Sequence, residues 1–287
     1  MCGCASHSKY TDLQTALNEF VEGKDANIGI AVIIDGKDTV SVNGDKKFPM
    51  LSVYKFPIAL ALADKYRNKN MSFDRPIAIL AEDLHLDTWS PMTEKILASS
   101  VATPDTLKLP AKVLLHYMLQ QSDNNASDII LREIGGASAV QNYLKKIGVE
   151  GINVHNTEDE MHIDNSLCYA NSSTPIGMAS LIDKFDREFT DSLSVEIKQM
   201  METCVTGTNR LVKPLLPTNA VIGHKTGTGF TLPNGLQMAI NDAGYIHLSN
   251  GHNCAVAVFI ENSGYDMEQT ETLIAEISRL IFVNKTD

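Results

Sequence analysis

The sequence predicts an α+β protein: an antiparallel sheet flanked by N- and C-terminal helices, with an all-helical domain inserted between its strands. Two observations carry this. β-Branched, alternating runs lie toward the two ends of the 287-residue chain, and the long middle has helical periodicity punctuated by helix caps and stops. TDLQTALNEFVEGKD puts Leu13, Leu17 and Phe20 on one helical face. NIGIAVIIDGKDTVSVNGDKKF then gives two strands joined at Asp35-Gly36, a hairpin signal. From Ser52 to about Phe189 the pattern is helical almost throughout. PAKVLLHYMLQQ and SDIILREIGG are helices, the second stopped by Gly135 and Gly136, and Thr174-Pro175 supplies a cap and first-turn proline for PIGMASLIDKF. NAVIGHKTG, LQMAINDAGYIHL and CAVAVFIENS return to strand patterns, and ETLIAEISRLIFV closes as a helix. The expected division is a discontinuous sheet domain, residues 10–47 and 205–287, and a helical domain, 48–204, with a site at their interface. Residues 1–9 are expected to be a disordered leader, the remnant of a lipoprotein or a tag.

A formal net charge of -11 leaves no basic stripe for nucleic acid. It still permits a small anionic substrate, which needs only a local cationic pocket. No apolar run is long enough to span a bilayer, and the stretch MCGCASHSK does not have the charged head and apolar run of a secretory signal. Cys168, Cys204 and Cys254 follow no metal or disulfide spacing and are expected to be buried free thiols. LHLD and MHID offer only lone histidines, so no metal is expected.

Chemistry is concentrated in three short motifs. In FPMLSVYKFPIALA, Ser52 and Lys55 sit one turn apart on a helix apolar enough to be buried, where an ammonium needs partners. The bland alternative is a capping serine and a snorkelling lysine, and Ser6 to Lys9 shows that the spacing alone recurs by chance. Pro57 leaves open whether that helix starts irregularly or is kinked. In QQSDNNASD, Ser122, Asp123 and Asn124 connect two helices, a place where such residues bond local backbone in any protein. In GHKTGTGF, Lys225, Thr226 and Gly227 follow a β-branched run, and a solvent-facing strand would explain them equally well. Each bland reading is adequate alone. Together, the ordered set SxxK, SDN and KTG is the combination associated with class A β-lactamases and penicillin-binding proteins.

From about Leu13 to Val283 the sequence resembles that superfamily, with Trp89-Ser90-Pro91 and Thr174-Pro175 as further local matches. Within it, NTEDEMHIDNS places Glu158 where class A β-lactamases carry a deacylating glutamate; Glu160 is the alternative assignment. The resemblance implies a serine acyl-enzyme hydrolase of β-lactams that confers resistance and needs no cofactor. Ser52 would be the nucleophile, Lys55 or Glu158 the base, and Ser122 the proton relay to the lactam nitrogen. The backbone N–H groups of Ser52 and Thr228 would form the oxyanion hole. Lys225, Thr226, Gly227 and Thr228 would bind the substrate carboxylate, with Trp89, Asn124 and His162 around the rest of the substrate. No arginine follows KTG, and Arg210 is the expected substitute, a surface arginine being the alternative.

Other departures point to a divergent branch that favours cephalosporins. Asp159 stands where most members have proline, His162 where most have asparagine, Asn156 and Asn171 where an Arg-Asp pair is common, and Asp128 in place of a bracing asparagine. A rebuilt Glu158 loop is the expectation. β-Lactams are the expected partners of a periplasmic monomer without an obligatory protein partner, lipid-anchored if Cys2 or Cys4 is modified.

Overall fold

The computed structural model describes residues 10–99 and 107–283, so the expected leader with Cys2 and Cys4 lies outside the described residues. α1 (Thr11–Val21) precedes the hairpin of β1 (Asn27–Ile34) and β2 (Asp38–Val42). Asp35 and Gly36 both take positive φ, 52° and 65°, which matches the twist of the flanking strands. After β3 (Phe48–Pro49) come α2 (Lys55–Asn68), β4 (Pro76–Ala78), α3 (Pro91–Ala98) and β5 (Lys108–Pro110). α4 (Ala111–Gln120), α5 (Asn124–Ile134), α6 (Ala137–Lys146) and β6 (Ile152–Asn153) follow. α7 (Glu158–Ile163), β7 (Ser172–Ser173), α8 (Pro175–Glu188) and α9 (Ser192–Glu202) lead to β8 (Val221–Thr228), β9 (Gln237–His247), β10 (Asn253–Ser263) and α10 (Met267–Val283).

A five-stranded antiparallel sheet, ordered β2-β1-β10-β9-β8, joins the two ends of the chain. One face, with Ile30, Val32, Val256 and Val258, packs with Leu17 of α1 and Ile277 of α10. The other face, with Ala31, Ala257 and Phe259, merges into the core of the helical part through Phe185 of α8 and Phe56 of α2. Each of these larger aliphatic and aromatic side chains is at most 1% exposed, a burial that stabilises by roughly 1.5–3 kcal/mol per residue.

Near-continuous helix between Ser52 and Phe189 needs correction. β4 pairs with β5, and β3, β7 and β6 form a small sheet of two-residue strands, too short to show a period of two in the sequence. α9 lies beyond the expected helical stretch, its N-terminus capped by Asp191. Thr174 caps α8 onto Gly177, with Pro175 at its first position, as the sequence predicts. The Pro57 question resolves into an irregular start. Leu51–Tyr54 form a 3-10 turn and α2 begins at Lys55, so Pro57 lies in the first α-helical turn, where a missing N–H is tolerated.

Candidate active site

A cavity of about 590 Å³ opens where the 3-10 turn, the connection from α4 to α5, α7 and the end of β8 meet. Ser52, Ser122, Asn124, Glu158, Thr226 and Thr228 line it, and the exposed Trp89, Phe230 and Met267 border it. Ser52 is not a helix cap, since it sits inside the 3-10 turn. Two facts fix that turn. Asn241 Nδ2 donates to Pro49 O (2.8 Å) and Met50 O (3.1 Å), and Gly227 packs so closely that a Cβ there would lie 2.5 Å from Met50 O. Leu51 has φ 45° and Ser122 φ 59°, left-handed values that cost a non-glycine residue energy; the first lies next to Ser52 and the second at Ser122 itself.

Lys55 is wholly buried, not snorkelling. Its Nζ donates to Ser122 O (2.8 Å) and Asn124 Oδ1 (2.6 Å) and lies 3.0 Å from Glu158 Oε1. That last contact is an ion pair whose angle falls outside hydrogen-bond geometry. Asn124 Nδ2 donates to Thr88 Oγ1 at 2.7 Å, so both ends of this amide are engaged. Asp123 does what the bland reading assigned it and more. It caps α5 through Ala126 N (2.9 Å) and also binds Met92 N and Ser90 Oγ, locking α3 to α5.

Lys225 is wholly buried on β8, and its Nζ donates to Ser122 Oγ (3.0 Å) and Thr226 O (2.9 Å). Burial pushes its ammonium down to about 7; a charge on Cys204 opposes the shift and Lys55 adds to it. Arg210 is 2% exposed, which removes the surface alternative. Nη1 donates to Gly227 O and Asn241 O, Nη2 to Thr228 Oγ1 (2.6 Å), and Nε pairs with Glu271 at 3.0 Å. The guanidinium therefore stands behind β8 and reaches the cavity through Thr228, not directly.

Glu158 opens α7, a helix capped by a reciprocal box in which Thr157 Oγ1 accepts from Glu160 N and Glu160 Oε2 accepts from Thr157 N. Glu160 is thus a capping residue, and Glu158 is the carboxylate at Lys55. Asp128 accepts from Glu158 N (2.8 Å) and Asp159 N (2.9 Å), so it braces the loop through backbone. Burial raises the Asp128 carboxyl to about 7 against the pull of those two N–H groups, with the Glu158 charge adding to the rise. Asn171 Oδ1 accepts from His155 N and Asn156 N, and its Nδ2 donates to Asn156 O, an uncharged clamp across the loop base. His162 lines the cavity and contacts Asp87 at 3.0 Å.

The description of the Beta-lactamase enzyme family matches residues 12–284. The chain belongs to this family. Its relatives include a β-lactamase of Bacteroides uniformis, 34% identical with 95% of this chain and 90% of the relative covered. β-Lactamase VEB-1 of Pseudomonas aeruginosa is 35% identical, covering 96% and 91%. The crystal structure of the TLA-1 extended-spectrum β-lactamase superposes with a TM-score of 0.90 at 33% identity, over 96% of this chain and 99% of that one. A class A β-lactamase structure from Bacteroides cellulosilyticus gives 0.88 at 30% identity, covering 97% and 98%. This β-lactamase is accordingly a class A hydrolase of β-lactams.

Three features of the β-lactamase site escape the sequence. Tyr54 is wholly buried next to Glu158, and its hydroxyl, like Glu158 Oε1, has no hydrogen bond to protein of good geometry. Thr206 Oγ1 lies 2.6 Å from Thr226 Oγ1. His224 Nδ1 lies 2.9 Å from Asp242 Oδ1, both buried. Only the last had a signal, an aspartate inside the apolar run of β9.

Proposed function

We propose that this β-lactamase acts through a Ser52 acyl-enzyme. Ser52 Oγ forms a bond to the lactam carbonyl carbon while Lys55, or Glu158 through a water, takes its proton. The C–N bond then breaks and Ser122 passes a proton to the nitrogen, a proton that Lys225 is placed to replace through its 3.0 Å contact with Ser122 Oγ. The N–H groups of Ser52 and Thr228 hold the oxyanion, in keeping with the close packing of β8 on the 3-10 turn at Gly227. Glu158 activates the water that hydrolyses the ester. The observation that carries this reading is the wholly buried Lys55, 3.0 Å from Glu158 and bonded to the Ser122 backbone.

Substrate binding divides among the remaining wall. Lys225, Thr226, Gly227 and Thr228 face the substrate carboxylate, with Arg210 holding Thr228 from behind. Asn124, Trp89 and His162 border its side chain. A preference for bulky cephalosporins is part of the proposal; it is supported by the loop hung on Asp128 and by the extended-spectrum names of the TLA-1 and PER-1 relatives. The two-part domain division, a monomeric state and a periplasmic location, where β-lactams meet their targets, belong to the same proposal. Among the described residues no helix is long and apolar enough to cross a membrane.

The test is turnover of a chromogenic cephalosporin by the parent and by Glu158→Ala. The parent should turn over many times, and the variant should slow by about 10²–10⁴-fold with an ester trapped on Ser52. A single stoichiometric burst from the parent would overturn the reading. For the cephalosporin preference, the kcat/KM ratio of an oxyimino-cephalosporin to benzylpenicillin should exceed that of a typical penicillinase; equal ratios would remove it.

A further inference from the structure

Cysteine and histidine side chains remain that the β-lactam reaction leaves unused. Cys168 and Cys254 are buried as the sequence predicts, and Cys204 is half-buried instead of fully buried. The histidines do more, because two of them meet carboxylates across the mouth of the cavity. His162 Nε2 lies 3.0 Å from Asp87 Oδ2, and His85 Nδ1 lies 3.4 Å from Asp159 Oδ1. The contacts are reciprocal, since each lip of the mouth supplies one imidazole and one carboxylate. Asp159 and His162 stand three residues apart on α7, a spacing that puts both on one face. His85 and Asp87 lie in the irregular stretch between Asp83 and Ser90. An imidazole has an N–H to offer a carboxylate in either protonation state.

Both lips hang from α5. Asn125 Nδ2 donates to His85 O (2.9 Å), Asn124 Nδ2 to Thr88 Oγ1 (2.7 Å) and Asn124 N to Trp89 O (2.9 Å), which fixes the inner edge of the first lip. About one turn along the same helix, Asp128 holds Glu158 N and Asp159 N of the second. Thr88 and Trp89 of one lip and Met161 and His162 of the other line the cavity. The His–Asp contacts join the lips on the solvent side, where the Asp87 side chain is 71% exposed. A group held between Trp89 and His162 therefore has to fit beneath these contacts or part them.

We propose that the His85–Asp159 and His162–Asp87 contacts form a strap that sets the width of the cavity where the β-lactam side chain enters, so that His85, Asp87 and Asp159 discriminate among substrates by the size of that side chain. These three residues do not line the cavity; they act by positioning Thr88, Trp89 and His162. Exposed ion pairs are weak and open readily, so the strap yields to a bulky oxyimino group, at a cost that a small side chain does not meet. It thereby works against the widening attributed to the loop hung on Asp128. The size discrimination rests on the proposed Ser52 acyl-enzyme reading and its side-chain wall, but the strap itself does not.

The test compares the full chain with Asp87→Ala and Asp159→Ala in two measurements. Hydrogen exchange is read on the lip that each substitution leaves intact: Asp87→Ala should speed exchange in residues 157–163, and Asp159→Ala in residues 84–89. The kcat/KM ratio of ceftazidime to benzylpenicillin should rise by about two- to fivefold in each variant, the scale of one exposed ion pair, and further in the double variant. The exchanged pair His85→Asp with Asp159→His should return the ratio toward that of the parent, which a merely structural role would not do. Unchanged exchange on the opposite lip would overturn the strap. Faster exchange with an unchanged or lower ratio would overturn the size discrimination, whereas a parent that turns over neither substrate would count against the hydrolase reading and leave the exchange result to decide the strap.

Discussion

Lys225 and Glu158 face one cavity from two walls, yet the backbone beneath them is held by different bonds. β8 is in register with β9 from Val221↔His247 to Thr228↔Ile240, and behind it stand the buried ion pairs Arg210–Glu271 and His224–Asp242. The segment from Val154 to Asn171 pairs with no strand. It hangs on a few side chains, chiefly Asp128, Asn171 and Thr157, each bonding backbone N–H or C=O groups. A sheet ladder is made by backbone and survives most substitutions, while a loop held by side chains depends on each of them. The wall carrying the substrate-binding cation is thus fixed by the fold, and the wall carrying the water-activating carboxylate is fixed by particular residues. Sequence change in the second wall can reshape the site without disturbing the first.

The comparison is most sharply tested at Arg210. Arg210→Ala leaves Glu271 and two carbonyls unpaired in a buried setting, so chemical denaturation should show a loss of about 3–5 kcal/mol. The damage should remain local to the β8 wall: KM for a β-lactam should rise while deacylation of a preformed acyl-enzyme is spared. Equal loss in both steps would mean that the two walls are not independent.

On the same wall, Lys225 should govern the alkaline side of the profile. With the ammonium held near 7 by burial, the charged form that attracts a carboxylate is lost as pH rises through that value. Free-enzyme kcat/KM should then fall by up to about tenfold per unit above it. The bound carboxylate favours the charge, so kcat should hold to higher pH. Parallel decline of kcat and kcat/KM would refute this.

For the loop wall, Asp128→Ala strips the acceptor from Glu158 N and Asp159 N and should cost about 1–3 kcal/mol. Melting should come several degrees lower, with slower deacylation and an almost unchanged acylation rate. Asp128→Asn keeps an acceptor oxygen and should restore part of the loss. The smallest effect belongs to Thr157→Ala, which removes one cap from α7 and should cost about 1 kcal/mol, with turnover lowered less than by Asp128→Ala.

Much of the site was legible because its residues stand in short motifs. Ser52 with Lys55, Ser122 to Asn124, and Lys225 to Gly227 each fall within a few residues, and Glu158 follows from its place between two of them. Asp128 was legible only as a departure, which implied a rebuilt loop; the structure shows a carboxylate with two lone-pair-bearing oxygens meeting two N–H groups of α7. Arg210 was legible as a candidate but not as a buried support, because sequence does not say which side of β8 its guanidinium takes. Thr206 and Tyr54 carried no signal at all, being ordinary residues made notable by what stands next to them.

The sequence by itself determined the element types and the order of the chemical groups, since periodicity, caps and short motifs act over a few residues. That both ends of the chain supply the sheet also followed from where the β-branched runs lie. The tertiary structure decided what pairs across long separations: Lys55 with Glu158, Lys225 with Ser122, Arg210 with Thr228, and His224 with Asp242. Those pairings decide which charges are buried and which protons are shared. They depend on how β8 packs against the 3-10 turn that precedes α2 and against α9, a property of the packed core and not of any segment alone.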